Sequence, residues 1–162
     1  MIQKGDKIVY GSVGVCIVSD ITENKVAGQR KKYYVLSPEA NPNSTIFVPL
    51  DNENLVSRIR NLHSEDELKL LIEVAKRTNL PWIDSTNERG TAYKIIIANG
   101  KTEEIITLVR LLVFRKRELE ENGQHLSKND ERILKDAVNA LSNEFKRVLN
   151  ADVEKMFEMI LD

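Results

Sequence analysis

The chain has 162 residues, 30% charged and 41% hydrophobic, with 24 basic and 25 acidic side chains and a formal net charge of -1. That balance excludes a protein that coats nucleic acid through a uniformly basic surface, and no apolar run is long enough to span a bilayer. The lone Cys16 has no partner for an intrachain disulfide or a metal site, and Met1-Ile2-Gln3-Lys4 leads into turn chemistry without a signal-peptide core, so a cytoplasmic protein is expected.

Short β-rich runs fill the first 60 residues. Lys7-Ile8-Val9-Tyr10 follows the turn at Gly5-Asp6, and Val15-Cys16-Ile17-Val18 runs on to Ile21. A hairpin connection over Asn24–Gly28 leads to Lys32-Tyr33-Tyr34-Val35-Leu36. After a loop with two prolines and two asparagines comes Thr45-Ile46-Phe47-Val48-Pro49, and the alternating Leu55-Val56-Ser57-Arg58-Ile59 is expected to close the set. About five short strands in this length predict a small Tudor-like or SH3-like β-barrel, a module that binds proteins through exposed edges and aromatic patches. Period-2 alternation places Tyr33 and Tyr34 on opposite faces, so one of them is outside.

The period becomes helical at Ser64. Ser64-Glu65-Asp66-Glu67 reads as a capping box ahead of Leu68, Leu71, Ile72 and Ala75, with a stop near Thr78-Asn79 before Pro81. Ser85 to Glu88 is a second box, opening a helix with Tyr93, Ile96 and Ile97 that ends at Asn99-Gly100. Beginning at or beside Thr102, a third helix carries apolar residues around much of its circumference and is expected to be the central element. Ser127 caps a fourth, with a stripe from Ile133 to Val148, and a last segment holds Val153, Met156, Phe157, Ile160 and Leu161. The expected architecture is therefore α+β in two domains: a β-barrel at 1–60 and an all-α helical bundle at 61–162.

Trp82, the only tryptophan, follows Pro81 and precedes a polar run near a helix start. Two readings stand: an indole packed between helices, and an apolar wedge or stacking platform for nucleic acid. The surrounding stretch 76–117 holds nine basic and four acidic residues, a local excess of five positive charges that phosphate would tolerate, whereas 123–162 holds six basic and eight acidic. Catalytic chemistry is not visible. His63 and His125 belong to no triad or metal cluster, Glu103-Glu104 and Glu120-Glu121 sit at helix ends, and the glycines at 5, 11, 14 and 28 form no phosphate loop. No enzyme, cofactor or metal is expected.

Gly5-Asp6-x-Ile8-Val9-Tyr10 with Gly14-Val15, Gly28, Tyr34-x-Leu36 and Thr45-Ile46-x-Val48-Pro49 resembles the N-terminal domain of the CarD and CdnL family of bacterial transcription regulators, a domain type shared with the transcription-repair coupling factor. The helical remainder resembles the family's C-terminal domain in the Trp82 region, Tyr93-Lys94, the Gly100 break and Asp130-Glu131-Arg132. The resemblance implies a barrel that binds the β subunit of bacterial RNA polymerase and a helical domain that holds promoter DNA at the upstream edge of the bubble by wedging a tryptophan into the minor groove, without reading sequence.

On this reading Trp82, Arg89, Lys94, Arg115 and Arg117 are the expected DNA-binding residues, and Asn24, Val26, Ile46 and Phe47 the expected polymerase-binding ones. Asn24 and Phe47 stand where well-known members carry basic side chains, which shifts that interface toward apolar contact through Val26 and Phe47. The interval from Trp82 to Tyr93-Lys94 is also longer than in some members. A monomer acting on promoter DNA and polymerase, with no membrane role, is expected; the alternative is an adaptor that binds polymerase without touching DNA.

Overall fold

The structure, a computed structural model, describes residues 1–162 and divides into two compact units, Met1–Leu62 and His63–Asp162. In the first, β1 (Lys7–Tyr10), β2 (Gly14–Val26), β3 (Gln29–Pro38), β4 (Ile46–Pro49) and β5 (Ile59–Asn61) form one antiparallel sheet in the order β4-β3-β2-β1-β5. A two-residue turn joins β2 to β3, with Ala27 and Gly28 both left-handed at φ 51° and 82°. This is the backbone that a tight hairpin needs if its turn is to match the twist of the strands.

Cross-strand partners share a face, so the register sorts the side chains. Val18, Leu36 and Ile46 form one row, and Ile21, Tyr34 and Val48 another on the same side. An irregularity between Val18 and Asp20 keeps these rows in phase. With Ile8 and Cys16, Val18, Leu36 and Val48 form the buried core of this unit.

Two expectations fail here. Leu55–Ile59 is not a strand: the Asn52 side chain accepts the Leu55 N–H at 3.2 Å and caps a single helical turn, α1 (Glu53–Val56). Leu55 and Val56 therefore pack side by side onto the sheet core instead of alternating across a strand, and the fifth strand begins only at Ile59. The barrel is also not closed. β4 and β5 are the two ends of the sheet and do not pair, so the unit is an open five-stranded sheet.

The second unit contains α2 (Glu65–Lys76), α3 (Thr86–Asn99), α4 (Thr102–Glu121), α5 (Lys128–Leu149) and α6 (Val153–Leu161). Ser64 makes the full capping box, its Oγ accepting from Glu67 N while the Glu67 carboxylate accepts from Ser64 N, both at 3.1 Å. At Ser85 only half of the expected box forms: its Oγ accepts from Glu88 N, with no return bond from the Glu88 side chain. Gly100 ends α3 in a left-handed conformation at φ 71°.

Every residue from Ile105 to Val109 is buried, so α4 is enclosed on all sides over that stretch, whereas Phe114 and Arg117 beyond it are exposed. Around it pack Leu68 and Ile72 of α2, Tyr93 and Ile97 of α3, and Ile133, Ala137, Leu141 and Phe145 of α5. Met156 and Ile160 of α6 are buried in the same cluster, so the last segment docks on the bundle. Each of the buried leucine, isoleucine, phenylalanine and methionine side chains contributes about 1.5–3 kcal/mol relative to exposure. The buried Glu144 carboxylate of α5 receives the backbone N–H of His63 at 3.0 Å and the Thr102 hydroxyl at 3.4 Å, with His63 Nδ1 at 3.2 Å. A buried charge requires that degree of satisfaction.

Candidate partner and nucleic-acid interfaces

In the helical unit, the segment between α2 and α3 carries Trp82 and is tied down from α3. Arg89 and Tyr93 occupy successive turns of that helix, and both are buried. The Tyr93 hydroxyl donates to Pro81 O at 3.1 Å, while Arg89 Nη1 donates to Ile83 O at 2.7 Å and Asp84 O at 3.1 Å. The other edge of the guanidinium grips Asp130 of α5: Nε to Oδ1 at 2.9 Å and Nη2 to Oδ2 at 2.8 Å. Ser127 donates its hydroxyl to Asp130 Oδ2 at 2.8 Å and caps the same helix through Asp130 N.

Burial by itself raises the Asp130 pKa, but the hydrogen bonds from Arg89 and Ser127, with the Arg89 charge, outweigh it and hold the carboxyl below its ordinary value. The hydrogen bond from Arg89 to Asp130 correspondingly raises the guanidinium's own pKa.

Trp82 is half-buried and packs against the helical core. The Arg89 guanidinium carbon lies 4.3 Å from its ring centroid and that of Arg115 lies 5.1 Å away, with the Tyr93 ring at 6.4 Å and tilted by 58°. Cations at these distances are attracted by the indole π-face. The indole is thus packed against the bundle and still keeps part of its surface exposed.

The expected DNA-binding residues do not form one cluster. Arg89 requires correction, because with 5% of its surface exposed and its fork closed on Asp130 it has no face to offer phosphate. Its spacing held the signal: Arg89, Tyr93 and Ile97 recur every fourth residue, which places the arginine on the buried stripe of α3. Arg115 is at the indole, half-buried, with an exposed Glu118 at 3.4 Å and a buried Nε that has no acceptor. Lys94 is exposed on α3, about 140° around the helix from Arg89 by the helical repeat. Arg117 is exposed too, its guanidinium 5.8 Å from the Phe114 ring.

The basic excess of the stretch is also smaller in space than in sequence. Asp130 neutralises Arg89, and Glu131 pairs with Lys116 at 3.0 Å, both acids coming from α5. Asp130 itself entered the sequence reading only through the family resemblance, since nothing local marks a partner 41 residues away.

In the sheet unit, Phe47 lies opposite Val35 and is 55% exposed, its ring meeting Tyr33 edge-on at 6.4 Å. Thr22, Asn24 and Val26 alternate onto the Tyr33 side of the sheet, so the exposed Asn24 and Val26 share that face with Phe47. Ile46 does not. It sits beside Leu36 with its side chain against the core, and is removed from this surface by the one-residue parity of the strand. Leu50 N bonds Lys32 O at 2.9 Å, and by alternation the N–H and C=O of Phe47 point to the outer edge of β4.

An aromatic patch on the open side of a sheet, beside a last strand with backbone groups still to offer, has the parts that strand addition by another chain uses. Residues 2–60 match the family described as CarD-like/TRCF RID domain, and the N-terminal unit belongs to it. Domains of this family are non-catalytic and interact with RNA polymerase, and the match is confined to the sheet unit. No curated protein matches the chain at a significant level. No helix is long and apolar enough to cross a membrane.

Proposed function

We propose that this protein is a monomeric transcription regulator of the bacterial cytoplasm that binds the β subunit of RNA polymerase through its sheet unit and stabilises the open promoter complex through its helical unit. The polymerase-interacting family of residues 2–60 is the observation that carries it. Phe47, with Tyr33, Val26 and Asn24 beside it, is the anchor of the β-subunit contact, and the outer edge of β4 supplies backbone hydrogen bonds.

Trp82 is the wedge. It enters the minor groove where the duplex opens at the upstream edge of the bubble, and only a widened groove admits it, so the melted state gains population. Arg115 reaches phosphate next to the indole, with Lys94 and Arg117 as outlying contacts. A net charge of -1 is no obstacle, because polymerase holds the helical unit at high effective concentration over the DNA.

The half-life of open complexes formed by a bacterial polymerase tests this, measured without the protein, with wild type and with Trp82→Ala. Wild type lengthens the half-life and Trp82→Ala does not, although both bind polymerase. Phe47→Asp weakens polymerase binding by about ten-fold or more, the effect of losing a central aromatic anchor. The second reading is an adaptor that binds polymerase without DNA contact, and the packing of Trp82 against Tyr93 favours it. A wild-type protein that binds polymerase and leaves the half-life unchanged decides for the adaptor.

A further inference from the structure

We infer that Arg89 and Asp130 are the positioning residues of Trp82: the buried ion pair between α3 and α5 fixes the direction of the indole before any DNA arrives. The use of that direction rests on the wedge reading above. Although Arg89 is a cation beside the indole, it faces inward, with its fork closed on Asp130.

The geometry ties one guanidinium to three things at once. Two of its nitrogens are held by Asp130, a third bonds the backbone carbonyls of Ile83 and Asp84, and its π-face lies 4.3 Å from the Trp82 ring centroid. The residue after the tryptophan is thereby fixed to α5, the residue before it is fixed to α3 through Tyr93, and the ring has a cation against it. A five-donor planar fork can make these contacts together, whereas an ammonium on a flexible stem cannot.

Asp130 is set in turn by the Ser127 hydroxyl, so a chain of bonds runs from the cap of α5 to the indole. The close approach of the two helices is visible one residue along, where a Cβ on Gly90 would meet Asn129 Nδ2 at 2.8 Å. A wedge held in one orientation loses less entropy when it inserts than one that must be ordered at that moment.

Two roles for Arg89 predict opposite signs. If Arg89 contacted phosphate, Asp130→Asn would free its charge and lengthen the open complex, and Arg89→Lys would be tolerated. As a positioning pair, either substitution shortens it. The experiment uses the full chain with Arg89→Lys, Asp130→Asn and the milder Ser127→Ala. Acrylamide quenching and anisotropy of the single tryptophan are measured in the free protein, and open-complex half-life is measured with polymerase.

Quenching rises and anisotropy falls in the first two variants, and their half-lives drop by about ten-fold toward that of Trp82→Ala, the scale on which misplacing a docked group acts. Ser127→Ala lies between them and wild type, and carries the test alone if the other two do not fold. Unchanged quenching in folded variants, or a longer half-life with Asp130→Asn, overturns the inference. If Trp82→Ala itself leaves the half-life unchanged, the wedge reading fails, while the quenching data still decide whether the pair positions the ring.

Discussion

Asp130→Asn is the substitution whose cost the structure defines most closely. The side chains of Arg89 and Asp130 are 6% and 2% exposed, so solvent does little to screen the pair. Removing the charge from one member of a buried pair costs about 3–5 kcal/mol, because the other is left uncompensated in a poorly polarisable site. Arg89 keeps its two carbonyl acceptors and asparagine still offers one oxygen, which places the expected loss at the low end, about 3 kcal/mol.

For a unit of this size that moves the urea midpoint down by about 2 M at constant slope. Replacing both residues by apolar ones, Arg89→Met with Asp130→Leu, loses less than either single change, since no orphaned charge remains. Urea titrations followed by tryptophan emission, which reports the helical unit alone, measure all three.

The pH dependence has a definite sign. The folded pKa of Asp130 lies below its unfolded value of about 3.9, so the pair's contribution is complete above that value and is lost as pH falls through the folded one. The stability gap between wild type and Asp130→Asn therefore narrows below about pH 4. A loss under about 1 kcal/mol, or a gap that persists undiminished into acid, refutes the account of a buried pair that is strong only when both members are charged.

Three further outcomes are expected. Ala27 sits at φ 51°, where a β-carbon costs about 1 kcal/mol and asparagine is better tolerated, so Ala27→Asn raises the thermal midpoint of the sheet unit in calorimetry. Tyr93→Phe removes the bond to Pro81 O and lowers stability by about 1 kcal/mol in the same urea assay, with increased quenching of Trp82. Burial, helped by the Glu39 charge, pushes the Cys16 thiol up to about 11, so at pH 8 it reacts with a disulfide reagent only at the rate of unfolding; a fast reaction in the folded state contradicts its burial.

The helical unit was the more legible half. Its start at Ser64, the Gly100 stop and the Ser127 cap all lie within a few residues of the chemistry that produces them, and the 3.6-residue period of α5 shows in the order Ile133, Ala137, Leu141. The sheet was harder to read because its strands are defined by distant partners. Leu55 and Val56 alternate as a strand would, yet one side-chain bond from Asn52 diverts them into a helical turn. Closure is a property of which end strands meet, and no residue of β4 or β5 encodes that locally.

At the candidate site, the identity of Trp82 was visible and its surroundings were not. The reading of Arg89 as a surface cation followed composition where helix spacing pointed inward. Asp130 became meaningful only once the chain had folded α5 against α3.

An open sheet has two terminal strands, and each is a template on which another copy could grow a continuous ribbon. This chain limits that hazard by economy of backbone donors. β5 is three residues long, too short to hold a partner strand in register. β4 is four residues long and finishes in Pro49, which has no N–H, so Phe47 is left as its one complete outward-facing pair of donor and acceptor. One such residue supports a single short docked strand and no propagating ladder. The edge therefore has room for one short docked strand without inviting polymerisation, and in the proposed polymerase contact the aromatic ring on that same residue takes part in choosing it.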